Sequence, residues 1–125
     1  MEIQHFQELM LIVYCHIQKL FPEVKEFRFH FIKRRTERQR VLGYINLRRK
    51  VIALDIFSAK EFRLKKMSAL LKIIAHEIAH IQKPPYRQRY RGHLIIRQHY
   101  PEFYTQVTSN IETMKTDQYL QAYFD

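Results

Sequence analysis

The run "LLKIIAHEIAHIQKPP", Leu70 to Pro85, constrains the fold more than any other stretch of the chain. On a helix, Leu70, Leu71, Ile73, Ile74, Ile78 and Ile81 cover most of the circumference, so this helix must be buried on more than one side. Two prolines stop it, because proline lacks an N–H donor and drives the residue before it out of helical geometry. Such a helix needs other layers around it.

The flanking sequence supplies them. Ile3, Phe6, Met10, Val13, Ile17 and Leu20 recur at steps of three and four, which predicts an amphipathic helix over residues 2–20, closed by Pro22. The period then becomes two. In "FRFHFIKRR", Phe27, Phe29 and Phe31 alternate with Arg28 and His30, as a half-buried strand requires. "RVLGYINLR" and "KVIALDIF" are two more β-rich runs, joined through Arg48–Arg49–Lys50 as a hairpin. The basic link from Lys33 to Arg40 reads as a loop or hairpin tip. Helices fall within Ser58–Lys83, and "YRQRYRGHLIIRQH" reads as an irregular basic connection with a short helical turn. From Pro101, a residue suited to a first turn, Phe103, Val107, Ile111 and Met114 mark a closing helix. The tail "DQYLQAYFD" is apolar enough to dock. The order predicts an α+β domain over 1–125: an N-terminal helix, a small, mostly antiparallel three-stranded sheet, the histidine-bearing helix and a C-terminal helix.

Composition narrows the class. With 125 residues, 46% apolar and 27% charged, the chain has the make-up of one globular domain. No apolar run approaches the roughly 18–20 residues of a membrane span. The acidic start "MEIQHFQELM" is unlike a secretory signal, and a lone Cys15 suits a reducing, intracellular setting. The net charge of +10 is concentrated between Lys25 and Lys50, while Glu102, Glu112, Asp117 and Asp125 make the C-terminal segment acidic. A basic middle of this kind suits polyanions, or the chain's own acidic tail.

In "HEIAH", His76 and His80 are four apart and so project from one side of the helix, close enough to share one ion. Glu77 is rotated about 100° from His76 and is free to face a water instead of the ion. Hydrolysis needs that division of labour. The ion lowers the water's pKa, the glutamate takes its proton, and the hydroxide attacks a carbonyl polarised by the same ion. A purely structural reading would bury two imidazoles and a carboxylate, which is costly unless all are paired.

"HEIAH" behind "ALLKIIA" resembles the zincin metallopeptidases, and within them the SprT-like and WLM-type domains. Those carry a third histidine followed four residues later by an aromatic, at the start of a further helix. "HYPEFY" is similar: His99, then Phe103 and Tyr104, with Pro101 opening the helix. "LGYINLRRKVIALD" resembles the strand pair before the motif, so the likeness spans residues 40–110. It implies a zincin-like fold and a zinc ion held by His76, His80 and a third ligand, with Glu77 as general base for peptide hydrolysis.

The third ligand has several candidates. His99 has the better motif, but Tyr100 stands where a small residue often follows. His93 has the more usual spacing, but Arg97 occupies the aromatic's place. Glu102 or Glu112 would complete a site of the glutamate-ligand kind. Asp55 and Glu61 are candidate partners for a ligand imidazole. His5, His16 and His30 read as solvent-facing or core side chains, and Cys15 as inert. Tyr86, Tyr90, Tyr100 and Tyr104 are available for packing, for base stacking or for an oxyanion.

Three functional classes follow. The first is a small zinc peptidase acting on peptide or protein, associated with DNA or RNA through basic segments. Lys33, Arg34, Arg35, Arg38 and Arg40 form one such segment, and Arg87, Arg89 and Arg91 another. The second is a basic nucleic-acid-binding module with a structural or vestigial metal site. The third is a latent zincin blocked by its own C-terminal tail.

Overall fold

A computed structural model describes residues 3–32, 41–57 and 63–124. Helix α1 (Ile3–Leu20) turns Phe6, Met10, Val13, Tyr14 and Ile17 inward, as its periodicity predicts, and a 3-10 turn at Pro22–Val24 follows. Tyr14 donates to Phe27 O at 2.8 Å, which fixes the start of the sheet against α1. Strands β1 (Arg28–Phe31), β2 (Gly43–Asn46) and β3 (Val51–Leu54) come next. The basic link 33–40 lies outside the described residues.

The sheet order is β1-β3-β2. β3, buried along its whole length, takes the centre because it is the most apolar strand. β2 pairs with it antiparallel, and β1 pairs with it parallel. The sheet is thus mixed, not mostly antiparallel: β3 already holds its hairpin partner on one edge and accepts β1 on the other. The β2–β3 turn is closed by Arg49 N–H donating to Asn46 Oδ1 at 2.9 Å.

Helix α2 (Met67–Gln82) carries the motif and lies between the sheet and α3 (Pro101–Met114). Leu70, Leu71, Ile74, Ala75, Ile78 and Ala79 are all buried, in keeping with the all-round apolar reading. The chain leaves α2 at Lys83, whose N–H still reaches Ala79 O before the two prolines.

Between α2 and α3 the connection is a regular hairpin, β4 (Tyr86–Tyr90) and β5 (His93–Arg97), where the sequence predicts an irregular segment. Arg91 (φ 51°) and Gly92 (φ 80°) make a two-residue turn with positive φ at both positions, the geometry whose twist matches paired strands. Every residue of β4 is exposed, so no apolar alternation advertises the strand.

The tail forms α4 (Gln118–Gln121) and a 3-10 turn to Phe124. Leu120 is fully buried, and Asp117 caps α4 by accepting from the Tyr119 and Leu120 N–H groups. No helix among the described residues is long and apolar enough to cross a membrane.

Candidate metal centre

Three elements converge on one point. α2 presents His76 and His80 one turn apart, and His99 arrives from the segment between β5 and α3. Nitrogens of the three rings lie within 4.8 Å of one another. Ring centroids are 5.0 Å apart for His76–His80 and 5.1 Å for each pair with His99. Phe103, fully buried on the first turn of α3, touches all three rings at 4.9, 4.6 and 5.1 Å. It is the aromatic four residues after His99, and it forms the apolar floor against which the imidazoles stand.

The electrostatics suit a cation. Burial, and then the neighbouring His99 ring, hold His76 below its usual range. Burial brings His80 down to about 4, with His76 and His99 adding to the shift. Both rings are therefore neutral at physiological pH and offer lone pairs. Glu77, 7% exposed, is pushed up to about 7 by burial. A carboxyl near 7 both accepts and returns a proton at neutral pH. Three imidazoles with one open side are the donor set of a catalytic zinc site, whose Zn–N distances of about 2.0–2.1 Å call for rings this close. His76, His80 and His99 lie close enough together to hold one metal ion.

The remaining candidates stand elsewhere. His93 opens β5 opposite Tyr90, with about 13 Å of strand between it and Arg97. Glu102 and Glu112 are exposed on α3 and stand outside the histidine group. Asp55 is buried and receives the Phe57 N–H at 3.0 Å, while Glu61 lies outside the described residues. Tyr100 meets Tyr86 edge to face at 5.0 Å between ring centroids and donates to Pro84 O at 3.1 Å, which pins the base of the hairpin. Tyr104 is exposed beside His99, at 6.2 Å between rings. His5, His30 and Cys15 are exposed. His16 is neither free nor core: it approaches Asp117 at 3.3 Å and stacks on Tyr119 at 4.4 Å. Of the basic candidates, Arg87, Arg89 and Arg91 are exposed on the hairpin, and Lys33, Arg34, Arg35, Arg38 and Arg40 lie outside the described residues.

Among the described residues, two hollows flank the histidines and meet at Gly43, His76 and Glu77, which line both. The wider, about 440 Å³, extends past Tyr44, Ile45 and Leu47 to His80 and His99. The narrower, about 350 Å³, is lined by Leu42, Gly43, Lys72, Ile73, His76 and Glu77. Sequence reasoning passes over Gly43 and Lys72. Gly43 is a glycine inside a strand pattern, a signal of close backbone approach; a Cβ there would lie 2.9 Å from Ile73 Cγ2. Lys72 stands four before His76 and so continues the ligand row by one turn.

Sequence reasoning also misses Asn110. Buried on α3, it donates to Ala75 O at 3.0 Å and to Gln82 Oε1 at 2.8 Å, and accepts from Gln106 at 3.0 Å. It ties α3 to the residue just before His76.

No protein-family model, curated protein or solved structure matches this chain.

Proposed function

We propose that the chain is a zincin-type zinc peptidase that hydrolyses peptide bonds with Glu77 as general base. The observation that carries this reading is the convergence of His76, His80 and His99 beside a buried, proton-accepting Glu77 at the meeting point of two hollows. His76, His80 and His99 would hold the zinc ion, which would supply an acidified water and Lewis-acid polarisation of the scissile carbonyl. Glu77 takes the proton of the attacking water and delivers it to the leaving amine. Phe103 holds the imidazoles in place and keeps water from beneath them.

The sheet supports a polypeptide substrate. Among the described residues β2 is an edge strand, and Leu42 O already accepts from Asp55 N. By the alternation of an antiparallel ladder, the N–H and C=O groups of Gly43 and Ile45 then point away from β3, towards the cleft side. An extended peptide can add there as a further strand. Hydrolysis of an unfolded protein substrate by zinc-loaded wild type, but not by Glu77→Gln, tests the reading. Equal activity, or none, in both would reject it.

The hairpin favours a second role alongside the first. Arg87, Arg89 and Arg91 are exposed on a ribbon that stands off the helices, an arrangement suited to phosphate contacts from DNA or RNA. Binding of a single-stranded oligonucleotide that weakens with salt and with Arg87→Ala/Arg89→Ala tests it; binding indifferent to both would reject this role for the hairpin.

A further inference from the structure

The narrower hollow differs from the wider one in a way that bears on substrate choice. Its walls are mainly apolar, from Leu42 and Ile73, and Lys72 is its one cationic side chain among the described residues. Lys72 lies four residues before His76, about 6 Å along the helix axis and on the same row. It is exposed, and no carboxylate among the described residues pairs with it. The hollow's own carboxylate, Glu77, is buried at the floor next to the histidines, not at the rim. An ammonium on an apolar wall, with no partner among the described residues, repels a basic side chain and offers an ion pair to an acidic one.

For a peptide added antiparallel to β2, the strand direction decides which substrate residue arrives there. A peptide pairing antiparallel with β2 runs from the Leu47 end towards Leu42. The wider hollow, at Tyr44, Ile45 and Leu47, then receives residues before the bond held at the histidines. The hollow at Leu42 receives the residue after it.

We propose that the hollow formed by Leu42, Gly43, Lys72 and Ile73 is a carboxylate-binding subsite that selects, through Lys72, the residue following the scissile bond. This inference rests on the peptidase reading and deepens it. The carboxylate belongs either to an aspartate or glutamate side chain or to a substrate chain that ends at that residue; the ion pair with Lys72 is the same in both.

The test uses zinc-reconstituted wild type and Lys72→Glu, with peptides that differ only in carrying Glu, Gln or Lys after the cleaved bond. A further pair ends at that position as free acid or amide. Wild type should favour Glu over Gln in kcat/KM by about fivefold, the worth of a partly exposed ion pair, with Lys last. Lys72→Glu should reverse the order. A preference for acid over amide in the terminal pair, lost in the variant, assigns the chain terminus as the carboxylate source.

The same peptides are titrated onto zinc-loaded Glu77→Gln, with and without Lys72→Glu, while the Gly43 and Ile73 amide resonances are followed. This reads the ranking without turnover. A charge ranking in binding with no hydrolysis by wild type supports the subsite and overturns the peptidase reading. Rankings that Lys72→Glu leaves unchanged, in both measurements, overturn the subsite alone. Peptides that neither bind nor react overturn both. Lys72 is exposed, so its replacement should leave the thermal melt unchanged.

Discussion

His80 and His99 bring their rings to 5.1 Å although an entire β-hairpin separates them in the chain. The hairpin makes this possible. Tyr86 pairs with Arg97, so the chain returns to the point where it left α2, and the strands add length without moving the ends. The long interval between the second and third histidines is thereby accommodated with no loosening of the site.

Glu77→Gln should separate chemistry from folding. With zinc bound, hydrolysis should fall by about 10²–10⁴-fold, the usual worth of a general base, while metal content is retained. In metal-free protein the effect is on stability. The folded carboxyl sits near 7, above its ordinary value, so its contribution is full below about pH 4.5 and is lost as pH rises through 7. Glu77→Gln should therefore exceed wild type at pH 8 by on the order of 2 kcal/mol, and match it at pH 4. Thermal melts at the two pH values read this directly. His80 titrates in both proteins, its depressed value costing stability as pH falls from about 6.5 towards 4, and so cancels from the comparison.

Gly43→Ala should be harmful out of proportion to its size. The added Cβ would meet Ile73 Cγ2 at 2.9 Å, Leu54 Cδ2 at 3.0 Å and Ala53 O at 3.1 Å. β2 must then move off α2, at about 1–3 kcal/mol. Denaturant unfolding should show that loss, and peptide hydrolysis should fall with it because the edge strand lines both hollows.

Much of this fold is legible in the sequence because periodicity reports burial. The stripe from Phe6 to Ile17, the alternation of Phe27, Phe29 and Phe31, and the apolar circumference of α2 each name a face that has to be covered. The β4–β5 hairpin is not legible for the same reason. It buries almost nothing, so only the Arg91–Gly92 turn and the run Leu94–Ile95–Ile96 hint at strands. His76, Glu77 and His80 are readable as a local motif, and His99 through Phe103 four residues on. Lys72, Gly43 and Asn110 matter through packing between elements, which no local spacing encodes.

Asn110→Ala should destabilise the protein by about 1–3 kcal/mol, since Gln82 and Gln106 lose their shared buried partner. Ala75 O loses its cross-helix donor at the same time. Denaturant midpoints, compared with an exposed control such as Thr108→Ala, measure the cost.

Ending the chain at Thr116 should weaken it, not activate it. Truncation removes fully buried Leu120 and the His16–Asp117 contact, in which hydrogen bonds from the Leu120 N–H, His16 and the Tyr119 N–H hold Asp117 below the usual carboxylate range despite its burial. None of the tail's described residues lines either hollow. The expected loss is about 2–4 kcal/mol, from apolar burial and the lost cap, with no gain in hydrolysis per folded molecule. A truncated form more active than the full chain would restore the tail as an inhibitor.

Elemental analysis of purified protein reads the proposed three-histidine zinc site itself. Wild type offered zinc at neutral pH should hold about one ion per chain, and His93→Ala should hold the same. His76→Ala, His80→Ala and His99→Ala should each lose it while remaining folded. A wild type that binds no zinc, or a His99→Ala variant that keeps it while His93→Ala does not, would contradict the site described here.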